Sequence, residues 1–447
     1  MRVLHVSYCF YPDPVGGTEV YVEALAQEMQ KLGLEVAVAA PAQRETHYSH
    51  KGLPVWRYAV SPTPQDLREL YGAGDVRAAQ SFLRVLEESK PGIVHLHALT
   101  RGVSLAMVRQ VKRLAIPVVF TYHTPTVSCQ RGTLMRWGTE VCEGLLELTS
   151  CTCCTLQGLG LPRAMALLIG RTPVALGTLL GSLHCSGGAW TALRMRALVR
   201  LRHATFRDFM AEADHIVALC KWAQALLVRN GIPRDKITLS PHGLPHQPPR
   251  IQEAEADHPQ ASQVHTASEA IRVVYLGRLS PEKGLDILVQ ALRALPGAPV
   301  ELHVYGIDQG GAYAEQVRKL AAEDPRITYH SPVPRERVIP LLSRYDLLAV
   351  PSRCVETGPQ VVLEAFAAGI PVMGSNLGGI AELVENGVNG LLIGPDDIPA
   401  WIRQLRSLLE EPGLLKRLRE GVRPPRKMRE VAQEMIELYR NLLRRAA

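Results

Sequence analysis

Residues 271–306 read IRVVYLGRLSPEKGLDILVQALRALPGAPVELHVYG. The apolar run at 271–277 predicts a strand, GRLSPEKG at 277–284 a turn, GLDILVQALRAL a helix with apolar residues at helical spacing, and VELHVYG at 300–306 a second strand. Strand, turn, helix and strand in that order make the repeating unit of a parallel sheet covered by helices. The same order stands at the front of the chain. RVLHVSYC at 2–9 is followed by the turn PDPVGG, the helical EVYVEALAQEMQKLG and the strand VAVAA at 36–40, and further apolar runs lie at 93–96 (IVHL) and 116–120 (IPVVF). Between the two patterns, 241–270 is rich in Pro, His, Gln and small polar residues without periodicity and reads as a linker. At 447 residues the chain exceeds one ordinary core. Two α/β domains are expected, 1–240 and 271–425, and the amphipathic terminal helix within 426–447 must dock on one of them.

Composition places the chain among globular proteins: 47% of residues are apolar, 21% charged and 5% aromatic, with a formal net charge of +7. The amino terminus enters an apolar run at once and lacks the long apolar region and small-residue cleavage site of a secretory signal, which predicts a cytoplasmic protein. The most membrane-like stretch, LPRAMALLIGRTPVALGTLLGSL at 161–183, carries Arg171 and Pro173 at its centre; a span is disfavoured, and a segment lying peripherally on a membrane surface is the better reading. Arg163, Arg171, Arg194, Arg196, Arg200, Arg202 and Arg207 crowd the same region, either to meet anionic lipid or as a solvated helix face with structural pairs. The chain shows no recognition-helix, finger or aromatic-interleaved basic pattern, so nucleic acid is not expected as a partner.

In parallel sheets of this kind ligands sit at the carboxyl ends of the strands, so the loops there carry the candidate chemistry. After the strand at 271–277, Arg278 and Lys283 stand on a loop entering a helix, where two cations beside free backbone donors suit a diphosphate. In PSRCVETGPQVVLEAFAAGIPV, residues 351–372, Glu356 precedes a Gly-Pro turn and Glu364 follows early in a helix. Carboxylates at these points can accept paired hydrogen bonds from a ribose diol or adjacent sugar hydroxyls. Read alone, each segment is equally a solvated turn or a helix with charged ends.

GRLSPEKG, the pair Glu356 and Glu364, and EAFAAGIPVMGSNLGGIAELVENGVNGLLI at 364–393 together resemble the GT4 family of retaining glycosyltransferases. VGGTE (15–19), TYHTP (121–125) and ADHIVALC (213–220) extend the resemblance over most of the chain. It implies the GT-B fold, two Rossmann-like domains facing across a cleft with the terminal helix crossing back to the first. The implied reaction moves a sugar from a nucleotide-diphosphate donor to an acceptor hydroxyl. Arg278 and Lys283 would bind the donor diphosphate, Glu364 the ribose and Glu356 the sugar hydroxyls, with backbone donors at Gly358, Gln360 and Val361. His123 would reach the donor sugar near the reacting carbon, and Gly16 and Gly17 would form a loop that lets backbone approach donor and acceptor closely. The leaving diphosphate oxygen then takes the acceptor proton on the face from which it departs, with no enzymic nucleophile and no metal or other cofactor required for catalysis. Arg353 and Cys220 depart from the aromatic residue and the serine expected at those places. A nucleotide-sugar-binding or membrane-surface scaffold without turnover, and another GT-B enzyme such as an epimerase, are the alternatives. Motif spacing leaves the donor base and sugar open. The acceptor classes in view are a lipid-linked sugar, to which the basic, partly apolar insertion at 155–207 points, and a polysaccharide.

Five of the nine cysteines, Cys129, Cys142, Cys151, Cys153 and Cys154, fall within 26 residues. In a reducing compartment thiols grouped in this way more often coordinate a structural zinc than form disulfides. The expected ligands are Cys129, Cys142, Cys151 and Cys154, with Cys153 able to replace one of them; an iron–sulfur cluster or plain reduced thiols stay open.

Overall fold

The computed structural model describes residues 1–64, 66–185, 187–245, 270–308 and 310–446. The chain divides into two compact units, Met1–Pro245 with Met428–Ala447, and His246–Lys427. Most of the expected linker, 246–269, and Ala447 of the terminal segment lie outside the described residues.

The strands of the first unit are β1 (Arg2–Val6), β2 (Glu35–Ala42), β3 (Thr46–His50), β4 (Leu53–Ala59), β5 (Ile93–Leu96), β6 (Val118–Tyr122), β7 (Met135–Arg136), β8 (Glu140–Val141), β9 (His215–Ala218) and β10 (Ile237–Leu239). Eight of them form one sheet in the order β10-β9-β6-β5-β1-β2-β4-β3, while β7 and β8 pair as a small separate hairpin. The sheet is parallel, as the alternating pattern predicts, except at its edge. There β3 runs antiparallel to β4 across a two-residue turn, Lys51 and Gly52, both at positive φ, the geometry that matches hairpin twist. Strands β5 and β6 are buried along their whole length, which is why they read as short uninterrupted apolar runs.

The terminal helix Met428–Ala446 belongs to this unit. Met428, Val431, Ala432, Met435, Tyr439 and Leu442 recur at helical spacing, and all are buried in one core cluster with Tyr21, Leu25 and Met29 of the helix Gly17–Lys31. Tyr439 also donates or accepts a 2.5 Å hydrogen bond with His95 Nδ1 on β5.

The second unit contains β11 (Ile271–Arg278), β12 (Val300–Ile307), β13 (Ile327–His330), β14 (Leu347–Val350), β15 (Val372–Ser375) and β16 (Gly390–Ile393), all parallel in the order β13-β12-β11-β14-β15-β16. The order reverses between β11 and β14, so the loops leaving those two strands open beside one another. Arg278 ends one of them and residues 351–359 follow the other.

Candidate functional site

At the reversal point of the second unit, β11 passes through Leu279 and Ser280 into a single helical turn, Pro281–Lys283, and then into the helix Leu285–Arg293. Gly284 joins the two at φ +66°, and a Cβ there would lie 2.0 Å from the carbonyl oxygen of Pro351 at the end of β14. Only glycine permits this approach of two loop backbones. It brings Lys283 Nζ to 2.7 Å from Glu356 Oε2, while Ser352 Oγ donates to Glu356 Oε1 at 2.5 Å. Both charged side chains are largely buried, 21% and 17% exposed. Burial opposes ionisation of Glu356, but the Lys283 ammonium and the Ser352 hydroxyl outweigh it and hold the carboxyl below its ordinary range. Burial likewise disfavours the Lys283 cation, and Glu356 raises it again. Arg278 is half-exposed, with its nearest carboxylate, Glu282, at 3.8 Å.

Arg353, the departure from the expected aromatic residue, has a structural role. Its guanidinium holds Asp286 in a bidentate pair at 2.6 and 2.7 Å, donates to the Pro281 carbonyl at 3.0 Å and pairs through Nε with Asp396. Tyr313 donates to the same Asp286 at 2.6 Å. Arg353 therefore ties the turn that carries Lys283 to the loop that carries Glu356. Behind that loop, the Gly379 N–H donates to the Glu356 carbonyl at 2.6 Å, and a Cβ on Gly379 would meet the Thr357 carbonyl carbon at 2.6 Å. Gly358, Gln360 and Val361 stand at the start of the helix Gln360–Ala367, with Pro359, which has no N–H, at its cap. Glu364 lies within that helix, 9% exposed. Burial raises its carboxyl to about 7, against the opposing charge of Arg335.

In the first unit, Gly16 caps the helix Gly17–Lys31 and its N–H donates to Glu19 Oε2 at 2.9 Å. Gly16 has a negative φ, and a Cβ there would meet nothing closer than 3.4 Å, so its backbone geometry does not itself demand glycine. His123 follows β6 and is 6% exposed. Sequence reading singled it out alone, yet it ends a buried chain of histidines: His5 Nδ1 lies 2.9 Å from His97 Nε2, and His97 Nδ1 lies 2.9 Å from His123 Nε2. His95 sits alongside, held by Thr121 Oγ1 at 2.7 Å and by Tyr439. Burial lowers the pKa of all four, so each imidazole is neutral near pH 7.

Neutral rings carry one proton each, which restricts the chain to two directions. His5 Nε2 is buried without a partner. If it bore the proton, an N–H would be stranded, which is rarer and costlier than an unpaired acceptor. His5 Nδ1–H therefore donates to His97, His97 Nδ1–H donates to His123 Nε2, and His123 keeps its own proton on Nδ1. Among the described residues, His5, His95 and His97 also form the one group of three or more His, Cys, Asp or Glu ligand atoms within 4.8 Å of one another. The nitrogens of His95 and His97 are already engaged in hydrogen bonds, which favours the relay over a metal.

The insertion expected to be basic is only partly so at its surface. Arg194 and Arg202 are buried: Arg194 donates to the Cys185 carbonyl and pairs with Asp66, and Arg202 donates to the carbonyls of Leu99, Thr126 and Val127. Arg196 donates to Thr149 Oγ1 and the Gly170 carbonyl. Arg163, Arg171, Arg200 and Arg207 remain exposed. Among the described residues no single helix is long and apolar enough to cross a membrane; the bent pair Arg163–Ile169 and Val174–Ser182, at 84°, reaches the required length and composition only together.

Residues 258–423 match the family model described as glycosyl transferases group 1, and residues 16–147 match the glycosyl transferase 4-like domain. The D-inositol 3-phosphate glycosyltransferase of Nocardia farcinica is 32% identical over 222 residues, 47% of this chain and 48% of that protein. The chain thus spans about half the length of the curated relatives it matches. Among solved structures, the sucrose-phosphate synthase of Thermosynechococcus elongatus is similar with a TM-score of 0.66 and 19% identity, covering 99% of this chain and 98% of that one. The Anabaena HepE protein solved with UDP-glucose gives 0.63 and 16%, covering 99% and 100%. At such identities the likeness establishes the fold.

Proposed function

The chain belongs to the GT4-type glycosyltransferases, and from that premise we propose that it transfers a sugar from a nucleoside-diphosphate donor to an acceptor hydroxyl, with retention at the anomeric carbon and without a catalytic metal. The observation that carries this reading is the buried Lys283–Glu356 pair, closed by Ser352, at the point where the strand order of the second unit reverses. A cation and a carboxylate held together at 2.7 Å are mutually neutralised until a ligand separates their tasks. A diphosphate draws on Lys283 and Arg278, and the oxygens of Glu356 then accept from sugar hydroxyls. Glu364, one helical segment on, accepts from the ribose diol. Stabilising the departing diphosphate lowers the barrier by about 3 kcal/mol or more, the scale of other preorganised electrostatic sites. The departing oxygen takes the acceptor proton, and His123 of the first unit is assigned the donor-sugar contact that the family resemblance implies.

The acceptor side of the proposal rests on the insertion. From 148 to 207 the chain contains no acidic residue. Leu168 and Leu179 on the bent helix pair and Leu183 directly after it are 75%, 56% and 64% exposed, with Arg163 and Arg171 exposed nearby in the sequence. Apolar side chains flanked by cations suit an anionic lipid surface, and with it a lipid-linked acceptor.

The test of turnover is nucleotide release from a panel of UDP-, GDP- and ADP-sugars by the wild type, Lys283→Ala and Glu356→Ala. Release from one donor, reduced at least about a hundredfold in both variants, is expected, from the loss of the cationic contact to the leaving group in Lys283→Ala and of the sugar-hydroxyl contact in Glu356→Ala. Tight nucleotide binding with no release from any donor, in the presence of lipid-linked and polysaccharide acceptors, would instead mark a binding protein.

A further inference from the structure

The cysteine cluster plays no part in the site described above, and the structure separates its members. All nine cysteines are free thiols. Cys151 and Cys154 lie one turn apart on the helix Leu148–Gly158, so their side chains share a face, whereas Cys153 points away. Cys153 is 1% exposed and packs on Gly170, where an added Cβ would meet its sulfur at 2.3 Å.

The shared face of Cys151 and Cys154 looks onto the two other cysteine-bearing segments. The hairpin of β7 and β8 approaches it: the Trp137 N–H donates to Cys154 Sγ at 3.4 Å, and that sulfur lies 3.9 Å from the Met135 carbonyl. Cys142 closes the same hairpin, its N–H donating to the Leu134 carbonyl at 2.8 Å, and Cys151 Sγ lies 3.9 Å from the carbonyl of Leu145, three residues further on. The turn 129–132, closed from Gly132 N–H to the Cys129 carbonyl at 3.0 Å, sends Arg131 to the Cys154 carbonyl at 3.3 Å and to Gln157 Oε1 at 2.6 Å. Three segments therefore converge, each carrying one or two of the four thiols. The segments converge, but no three of the four sulfurs lie within 4.8 Å of one another, the spacing of the histidine group. Burial raises the Cys151 and Cys154 thiols, and the neighbouring cysteines add to the rise in both; Cys153 is coupled to Arg171, Glu147 and Arg196 instead.

A two-stranded hairpin with two residues in each strand is not stable by itself in water, and this one leaves Val141 and Leu145 about half exposed. Leu134 and Met135 at the base of the hairpin are buried, so an apolar contact anchors one side of it, while the side bearing Val141 and Cys142 has no such anchor among the buried residues. We propose that Cys129, Cys142, Cys151 and Cys154 bind one Zn²⁺ as tetrahedral thiolates, fastening the turn, hairpin and helix that follow His123 into one module. Binding displaces the thiol protons to solvent, and the cation removes the mutual repulsion that four neighbouring thiolates would otherwise suffer. Cys153 is excluded from the ligand set by its direction.

The experiment is metal analysis of the full chain purified under reducing conditions, with visible spectroscopy after exchange of the bound metal for Co²⁺. One zinc per chain is expected in the wild type and in Cys153→Ser, and close to none in Cys151→Ser or Cys154→Ser. The cobalt form of both wild type and Cys153→Ser should show the intense absorption of a tetrahedral thiolate site, a readout that survives if the ligand variants are insoluble. Bound iron with cluster absorption, a wild type that takes up no zinc under reducing conditions, or loss of zinc in soluble Cys153→Ser would each overturn the assignment.

Discussion

Glu364 and His97 are single side chains whose protonation has consequences that can be measured. Burial holds the Glu364 carboxyl near 7, above its ordinary value. A carboxyl raised in this way favours its protonated form at low pH, whereas a ribose diol donating two hydrogen bonds favours the ionised form. Nucleotide affinity should therefore rise as pH increases through about 7 and level off above it, with proton release on binding at pH 6.5. Calorimetry in buffers of different ionisation enthalpy checks both, and a pH-independent affinity would remove Glu364 from the ribose site. His97 is a positioning residue, since it acts through His123. His97→Phe should lower kcat roughly tenfold, the equivalent of one lost hydrogen bond of about 1 to 1.5 kcal/mol. His97→Asn, whose amide stands in for Nδ1, should recover part of it. Nitrogen chemical shifts of the His123 ring report directly whether the proton sits on Nδ1 and moves in His97→Phe, which a merely structural residue would not cause. This relay is not legible in the sequence, because His5 and His95 lie inside apolar runs, His97 directly follows one, and all three read as ordinary strand or strand-end positions. Their contact requires β1 and β5 to be neighbours.

At the level of elements, the turns were easier to foresee than what fastens them. The strand at 271–277, the loop after it and the helix beyond were legible because apolar period and glycine placement are local properties. Ser352 and Asp286 were not, since each acquires its role only when β11 and β14 stand side by side. Arg353 could be recognised as unusual but not explained, because its partners Asp286 and Asp396 lie 67 and 43 residues away. The β3–β4 hairpin was missed because its strands are short and its turn, Lys51-Gly52, carries only one of the usual residues for that geometry. Gly284 offers the clearest test of the element itself. Gly284→Ala places a methyl group against the Pro351 carbonyl and strains a residue at positive φ, so a loss of about 1 to 3 kcal/mol is expected in denaturant unfolding. Nucleotide binding should weaken with it, because the Lys283 and Glu356 loops must separate.

For the molecule as a whole, the division into two α/β units followed from the recurrence of one pattern on either side of a region without periodicity. The return of the terminal helix to the first unit was implied only by family resemblance, since amphipathicity says that a helix must dock but not where. The insertion shows the same limit on charge reading. Seven arginines within 45 residues suggested a basic face, yet Arg194 and Arg202 are turned inward. Surface binding should therefore depend on the exposed leucines as much as on charge. Sedimentation with vesicles containing anionic lipid should show binding at low salt that weakens with added salt. The triple variant Leu168→Gln, Leu179→Gln, Leu183→Gln should lose about a hundredfold of it, each leucine contributing of order 1 kcal/mol. Binding unchanged by both salt and the triple substitution would place the lipid contact elsewhere or nowhere.

The docking of residues 428–442 also sets an order of events during synthesis. A ribosome adds roughly 5–20 residues per second, and the second unit, His246–Lys427, is synthesised before the helix that covers Tyr21, Leu25 and Met29. The unit begun first is thus completed last. For that interval the stripe formed by Tyr21, Leu25 and Met29 lacks the helix that covers it in the folded unit.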